Sequence, residues 1–152
     1  LEVLIVPVGG GSGCAGACLV AQTVKPSIRV IGVQAEASPA AYESWRQQRL
    51  VTAPNATIAE GLATGSAFSL PQQIMRQSLK EFVLIPDAAI LQAMLWLIER
   101  AHTLVEGAGA ASLAAAYRLR EELHGKRIGL VCSGGNASLA QLKQALALRS
   151  DV

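Results

Sequence analysis

"VPVGGGSGCAGA", residues 6–17, is the stretch that decides how this chain folds. A β-branched run halts at Pro7. Five small residues follow, Gly9, Gly10, Gly11, Ser12 and Gly13, and helix-compatible small residues continue beyond them. Glycines let a backbone approach a ligand closely and take positive φ, which gathers successive N–H groups into one concavity for an anion. A helix starting there adds its unpaired N–H groups and the positive end of its dipole. The Ser12 hydroxyl supplies a further donor. A bare strand-to-helix turn needs fewer small residues than this, so the expected ligand is a phosphate.

Which phosphate depends on the rest of the chain. Gly11, Gly13 and Gly16 match the G-x-G-x-x-G dinucleotide fingerprint, and Glu36, at the end of a second strand, stands where such sites hold a ribose. That reading leaves Gly9 and Gly10 surplus to the motif. It also gives no role to two later stretches, "VEGAGAA" (105–111) and "SGGN" (133–136).

Outward from the first turn, strand-like and helix-like runs alternate, which is the pattern of an α/β fold with an open, mainly parallel sheet flanked by helices. The strands are expected over residues 3–8, 28–34, 81–86 and 127–132. Their apolar character on both faces suits a sheet covered on both sides. Helices are expected over 12–24, where Pro26 blocks continuation, from the Ser38–Pro39 start, over 70–79, from an Asp87 cap through 102, from Glu106 to the glycine stop at Gly125, and over 139–148. Residues 50–67, rich in Pro, Asn, Gly and Thr, read as a long irregular excursion, and excursions of that length inside a domain tend to be functional.

"VCSGGN" (131–136) places Ser133 at a strand tip, ahead of two glycines. Taken alone, it reads equally as a helix N-cap turn with Asn136 as the cap. Both glycine turns follow strands and precede helices, and ligands collect at the carboxyl ends of parallel strands. Two such turns are expected to converge on one ligand. Glu106, ahead of an all-small turn, reads either as a partner of a helix N-terminus or as a ligand contact.

Composition narrows the function classes. Net charge is +2 with scattered cations, and aromatics are 4%, so no basic, aromatic-interleaved nucleic-acid face is present. No apolar run reaches the roughly 18 residues of a membrane span, and no signal-peptide pattern occurs. Three cysteines, Cys14, Cys18 and Cys132, suit a reducing compartment, hence the cytoplasm. Cys14 and Cys18 lie one helical turn apart and read as buried packing rather than metal ligands. His102 and His124 sit at helix ends without triad partners, and Glu121 and Glu122 read as a solvated face. Hydrophobic residues are 51% against 16% charged, and the chain starts directly in a strand, so it reads as part of a longer protein.

Four motifs in order, "VPVGGGSG", "VIGVQAE", "IAEGLA" with "VEGAGAA", and "SGGN", resemble the C-terminal portion of the threonine dehydratases (threonine ammonia-lyases). These are fold type II, tryptophan-synthase-β-like pyridoxal-phosphate enzymes, alongside serine racemase. The resemblance covers nearly the whole chain. It implies one domain over residues 1–152, part of the large domain of such an enzyme, with pyridoxal 5'-phosphate as cofactor. Gly9, Gly10, Gly11, Ser12 and Gly13 correspond to the loop around the cofactor phosphate. Ser133 corresponds to the serine bonded to the pyridine nitrogen, and Glu106 to a glutamate near the ring. Gly61 falls in a segment passing close by.

The resemblance also implies a β-elimination from threonine- or serine-like substrates to a 2-oxo acid and ammonia, and a homo-oligomer. The family's Schiff-base lysine lies upstream of the glycine loop. Lys25, Lys80, Lys126 and Lys143 match no catalytic motif, so no catalytic residue is assigned within this chain, and its partner is the N-terminal half of the same fold. Gln34 and Ala40 stand where some relatives hold a divalent metal with acidic residues, so no metal site is expected. The alternatives are a non-catalytic phosphate-binding remnant and half of a nicotinamide-dependent dehydrogenase.

Overall fold

Parallel strands cannot be joined by hairpins, so each pair needs a crossover, and this chain supplies helices for them. The computed structural model describes residues 1–148. Strand β1 (Val3–Pro7) passes through α1 (Ser12–Val24) to β2 (Arg29–Ala35). Then come α2 (Ala40–Arg46), the excursion with a single 3-10 turn at Glu60–Leu62, α3 (Ser69–Ser78) and β3 (Glu81–Ile85). Helices α4 (Asp87–Ala101) and α5 (Gly107–Arg118) precede β4 (Ile128–Leu130), and α6 (Leu139–Ala147) completes the order. The sheet is open, four-stranded and fully parallel, in the order β3-β2-β1-β4.

Side chains alternate across the strands, and both faces are buried. Ile5, Ile31, Val33 and Ile85 point into a core shared with α4, α5 and α6. Val6, Val8, Val30 and Phe82 point into a second core with Cys14, Cys18 and Met75 of α1 and α3. Helix α5 is almost all Gly and Ala on its buried side, which lets its backbone lie close on the sheet and on neighbouring loops.

Several boundaries differ from expectation for local reasons. Helix α5 ends at Arg118, short of Gly125. The chain then turns so that Leu123 enters the core, and Gly125 closes that turn at a φ of 75°. Glu121 and Glu122 are exposed as expected, though they lie beyond the helix, and Glu122 pairs with Arg29. Strand β4 is shorter than residues 127–132, although the Val131 amide still donates to the Ile5 carbonyl at 3.0 Å. Asp87 is the first helical residue rather than the cap, and Pro86 holds the cap position. Ser138, not Asn136, caps α6: its hydroxyl accepts from the Gln141 amide, and the Gln141 side chain accepts from the Ser138 amide in a reciprocal box.

Candidate functional site

The site grows from the register of two neighbouring strands. Val3 pairs with Ile128, Leu4 with Gly129 and Ile5 with Leu130. Parallel neighbours lie about 4.8 Å apart, so the turn after β1 and the turn after β4 leave the carboxyl end of the sheet side by side.

In the first turn, Gly11 occupies the N-cap position of α1 at a φ of 91°, a left-handed conformation that glycine takes without strain. No side chain caps this helix, and its first turn holds no acidic residue. Among the described residues, nothing accepts from the backbone N–H groups of Gly9, Gly10 or Gly11. Those of Ser12, Gly13 and Cys14 have no partner within a helix either. Ser12 and Gly13 are exposed. The result is a run of backbone donors that no carboxylate among the described residues accepts from.

The turn is walled from behind. A Cβ on Gly9 would meet the Gly61 carbonyl oxygen, and one on Gly11 would meet Pro71 and Met75 of α3. The Thr64 hydroxyl donates to the Gly9 carbonyl at 3.4 Å.

The second turn leans on the start of α5. The Glu106 amide donates to the Gly134 carbonyl at 3.2 Å, and the Ser112 hydroxyl donates to the Val131 carbonyl at 3.0 Å. Ser133 is exposed, and its hydroxyl is bonded to no other described residue. Glu106 precedes α5, yet its side chain makes no capping bond. Its Oε1 lies so near Gly134 that a Cβ there would stand 2.5 Å away, and one on Gly61 would stand 3.4 Å away. Gly9, Gly61, Glu106 and Gly134 therefore form one contiguous line joining the two turns.

Other expected residues fall elsewhere. Glu36 directly follows β2 and pairs with Arg118 at 3.5 Å. Gln34 is buried, accepting from the Tyr42 amide and donating to Thr64. Cys14 and Cys18 are buried in the α1 core, where the hydrogen bond to Cys18, reinforced by burial, pushes the Cys14 thiol up. A cavity of about 570 Å³ lies along the excursion, lined by Arg49, Leu50, Val51, Thr52, Ser66 and Ala67, and includes no residue of either turn.

Sequence reasoning missed the residues that hold the excursion in place. Asp87 sends its carboxylate across to accept from the Thr57 hydroxyl at 2.5 Å and from the Ile58 amide at 2.9 Å. Buried Ser38 accepts from the amides of Ala56 and Thr57. Gln141 donates to the Ile58 carbonyl at 2.7 Å. An Asp after Pro and a Gln in a helix first turn have local explanations, so nothing in the sequence flagged their long reach.

Residues 1–134 match the family described as pyridoxal-phosphate dependent enzyme. The chain belongs to that family. Membership replaces the dinucleotide reading of Gly11, Gly13 and Gly16. The chain is 32% identical over 147 residues to the L-threonine ammonia-lyase of Thermotoga maritima, covering 96% of this chain and 36% of that protein. It is 30% identical to maize serine racemase, with a TM-score of 0.85 over 98% of this chain and 48% of that one. The processed form of threonine deaminase isoform 2 from Solanum lycopersicum shares the fold, with a TM-score of 0.91 at 22% identity, over 99% of this chain and 45% of that chain. The chain thus spans between about a third and a half of the relatives it matches. Among the described residues, no helix is long and apolar enough to cross a membrane.

Proposed function

We propose that this chain is the cofactor-holding part of a pyridoxal-phosphate-dependent ammonia-lyase that eliminates the β-hydroxyl of threonine- or serine-like amino acids to give a 2-oxo acid and ammonia. The observation that carries this reading is the departure of two glycine turns from the carboxyl ends of adjacent parallel strands. Similarity to threonine ammonia-lyases supports the reaction class. The resemblance to serine racemases is of the same order, so the elimination is the finer part of the proposal.

The donor set supports a phosphate at Gly9, Gly10, Gly11, Ser12 and Gly13, because outward N–H groups and a helix N-terminus without a carboxylate favour a dianion. The free Ser133 hydroxyl is suited to the ring nitrogen, and Glu106 lies between the two turns where it would face the ring. When bound, pyridoxal phosphate draws electrons from Cα of an attached amino acid, which makes loss of the α-proton feasible. Ser133, being neutral, would hold the ring nitrogen without strongly favouring its protonation. Such a contact would restrain electron withdrawal and so favour loss of a β-hydroxyl. The small residues around the turns leave room for a flat ligand.

The chain acts with a further part of the same fold, one that supplies the Schiff-base lysine. Exposed apolar residues on α1, Leu19, Val20 and Val24, support such a covering partner. Residues 1–152 are then one domain-forming part of a longer catalytic unit, which associates as a homo-oligomer.

The test is to titrate the chain with pyridoxal 5'-phosphate by calorimetry and absorbance, with Ser133→Ala and Gly13→Asp beside it. We expect saturable binding without turnover, weakened several-fold by Ser133→Ala and at least tenfold by Gly13→Asp. Co-expression with the upstream half of a relative is expected to yield 2-oxo acid from threonine or serine. Binding without any reconstituted turnover would favour the phosphate-binding remnant, and no binding would remove the cofactor assignment.

A further inference from the structure

Residues 57–64 form a strap between the two turns. Gly61 packs on Gly9 at one end of the line and beside Glu106 and Ala108 at the other, while Thr64 bonds the Gly9 carbonyl. Apart from its 3-10 turn the strap has no regular structure, so its buried backbone groups need partners from elsewhere. Asp87 takes the Ile58 amide, and Gln141 takes the Ile58 carbonyl.

Gln141 uses both ends of its amide. Its Oε1 accepts from the Ser138 amide at 3.4 Å, shortly beyond the second turn, while its Nε2 donates to the strap at 2.7 Å. The residue is 7% exposed, so water does not compete easily for either bond. Resting on the cofactor reading above, we propose that Gln141 is a positioning residue that sets the span between the phosphate turn and the Ser133 turn, acting through the strap that Asp87 anchors from the other side.

The physical consequence is selective. A ligand that engages both turns gains from their fixed separation, because the second contact forms at high effective concentration. A ligand that engages only one turn gains nothing from it. Loosening the link therefore weakens the two-point ligand and spares the one-point ligand.

The experiment measures dissociation constants of the chain for inorganic phosphate and for pyridoxal 5'-phosphate, in wild type, Gln141→Ala and Gln141→Glu. Gln141→Glu keeps an acceptor for the Ser138 amide, and so the helix cap, but has no donor for Ile58. We expect phosphate affinity within twofold of wild type in both variants and pyridoxal 5'-phosphate affinity at least tenfold weaker. Equal weakening of both ligands, or of neither, overturns the proposal. If the wild type binds neither ligand, the cofactor reading fails and amide exchange decides this one. Gln141→Glu should then speed exchange at Leu62 and Glu106 at least tenfold while leaving Val131 unchanged. Unchanged rates at Leu62 and Glu106 would overturn it.

Discussion

A Cβ on Gly9 would stand 2.2 Å from the carbonyl oxygen of Gly61, with backbone rather than a flexible side chain in the way. The first turn and the excursion are thus in contact at a position where only glycine fits. Gly9→Ala is expected to destabilise the chain by about 1–3 kcal/mol, as overpacked sites do. Gly16, in mid-helix on α1, has nothing within 4 Å of an added Cβ. Gly16→Ala should therefore stabilise by up to about 1 kcal/mol through helix propensity. Urea denaturation of the two variants checks both signs.

Asp87 holds Thr57 and Ile58 through two bonds to one half-buried carboxylate. Hydrogen bonds to charged groups are worth about 1.5–3 kcal/mol. Asp87→Ala is expected to cost about 2–3 kcal/mol, while Asp87→Asn, which keeps an acceptor for the Ile58 amide, should cost about half as much. Proteolysis within residues 50–67 should rise in the same order.

The three thiols should separate by accessibility. Cys132 is exposed beside Ser133, whereas Cys14 and Cys18 are buried and the Cys14 thiol is pushed up by its bond to Cys18 and by burial. Thiol titration of the native chain is expected to label Cys132 rapidly and the other two at least a hundredfold more slowly, and all three equally in denaturant. Bound pyridoxal 5'-phosphate should slow labelling of Cys132.

Glu2 ties the start of β1 to the residue preceding β4, accepting from both the amide and the Nε of Arg127 at 3.1 Å. The backbone bond from Arg127, then its side-chain bond, hold the Glu2 carboxyl below the usual carboxylate range. A folded pKa below the unfolded one adds stability that is complete above the unfolded value of about 4.3 and fades as pH falls through the folded one. Acid unfolding of wild type should therefore steepen below about pH 4.3, and Glu2→Gln should flatten that part of the profile without changing stability's pH dependence above pH 6.

Much of the scaffold was legible because its signals are local. The span of α1 was readable from the glycines before it and Pro26 after it. The strands were readable as apolar runs. The exceptions share one cause. Asp87 obeys a tertiary partner rather than its local cap role, α5 stops where Leu123 turns into the core, and Ser138 caps α6 because Gln141 is placed to reciprocate. The motifs singled out Gly61, but its contacts with Gly9 and Glu106 were not legible.

The amino-acid order alone determined an α/β chain, a glycine-rich turn after β1, a second small-residue turn after β4, and the family its motifs match. These rest on periodicity and on residue types within a few positions of each other. Only the tertiary structure decided that the two turns are neighbours, that the excursion at residues 57–64 runs between them, and that Asp87 and Gln141 hold it. Those relationships depend on strand order and on bonds between residues far apart in the chain. The energy of such contacts arises from groups that meet only once the sheet has formed.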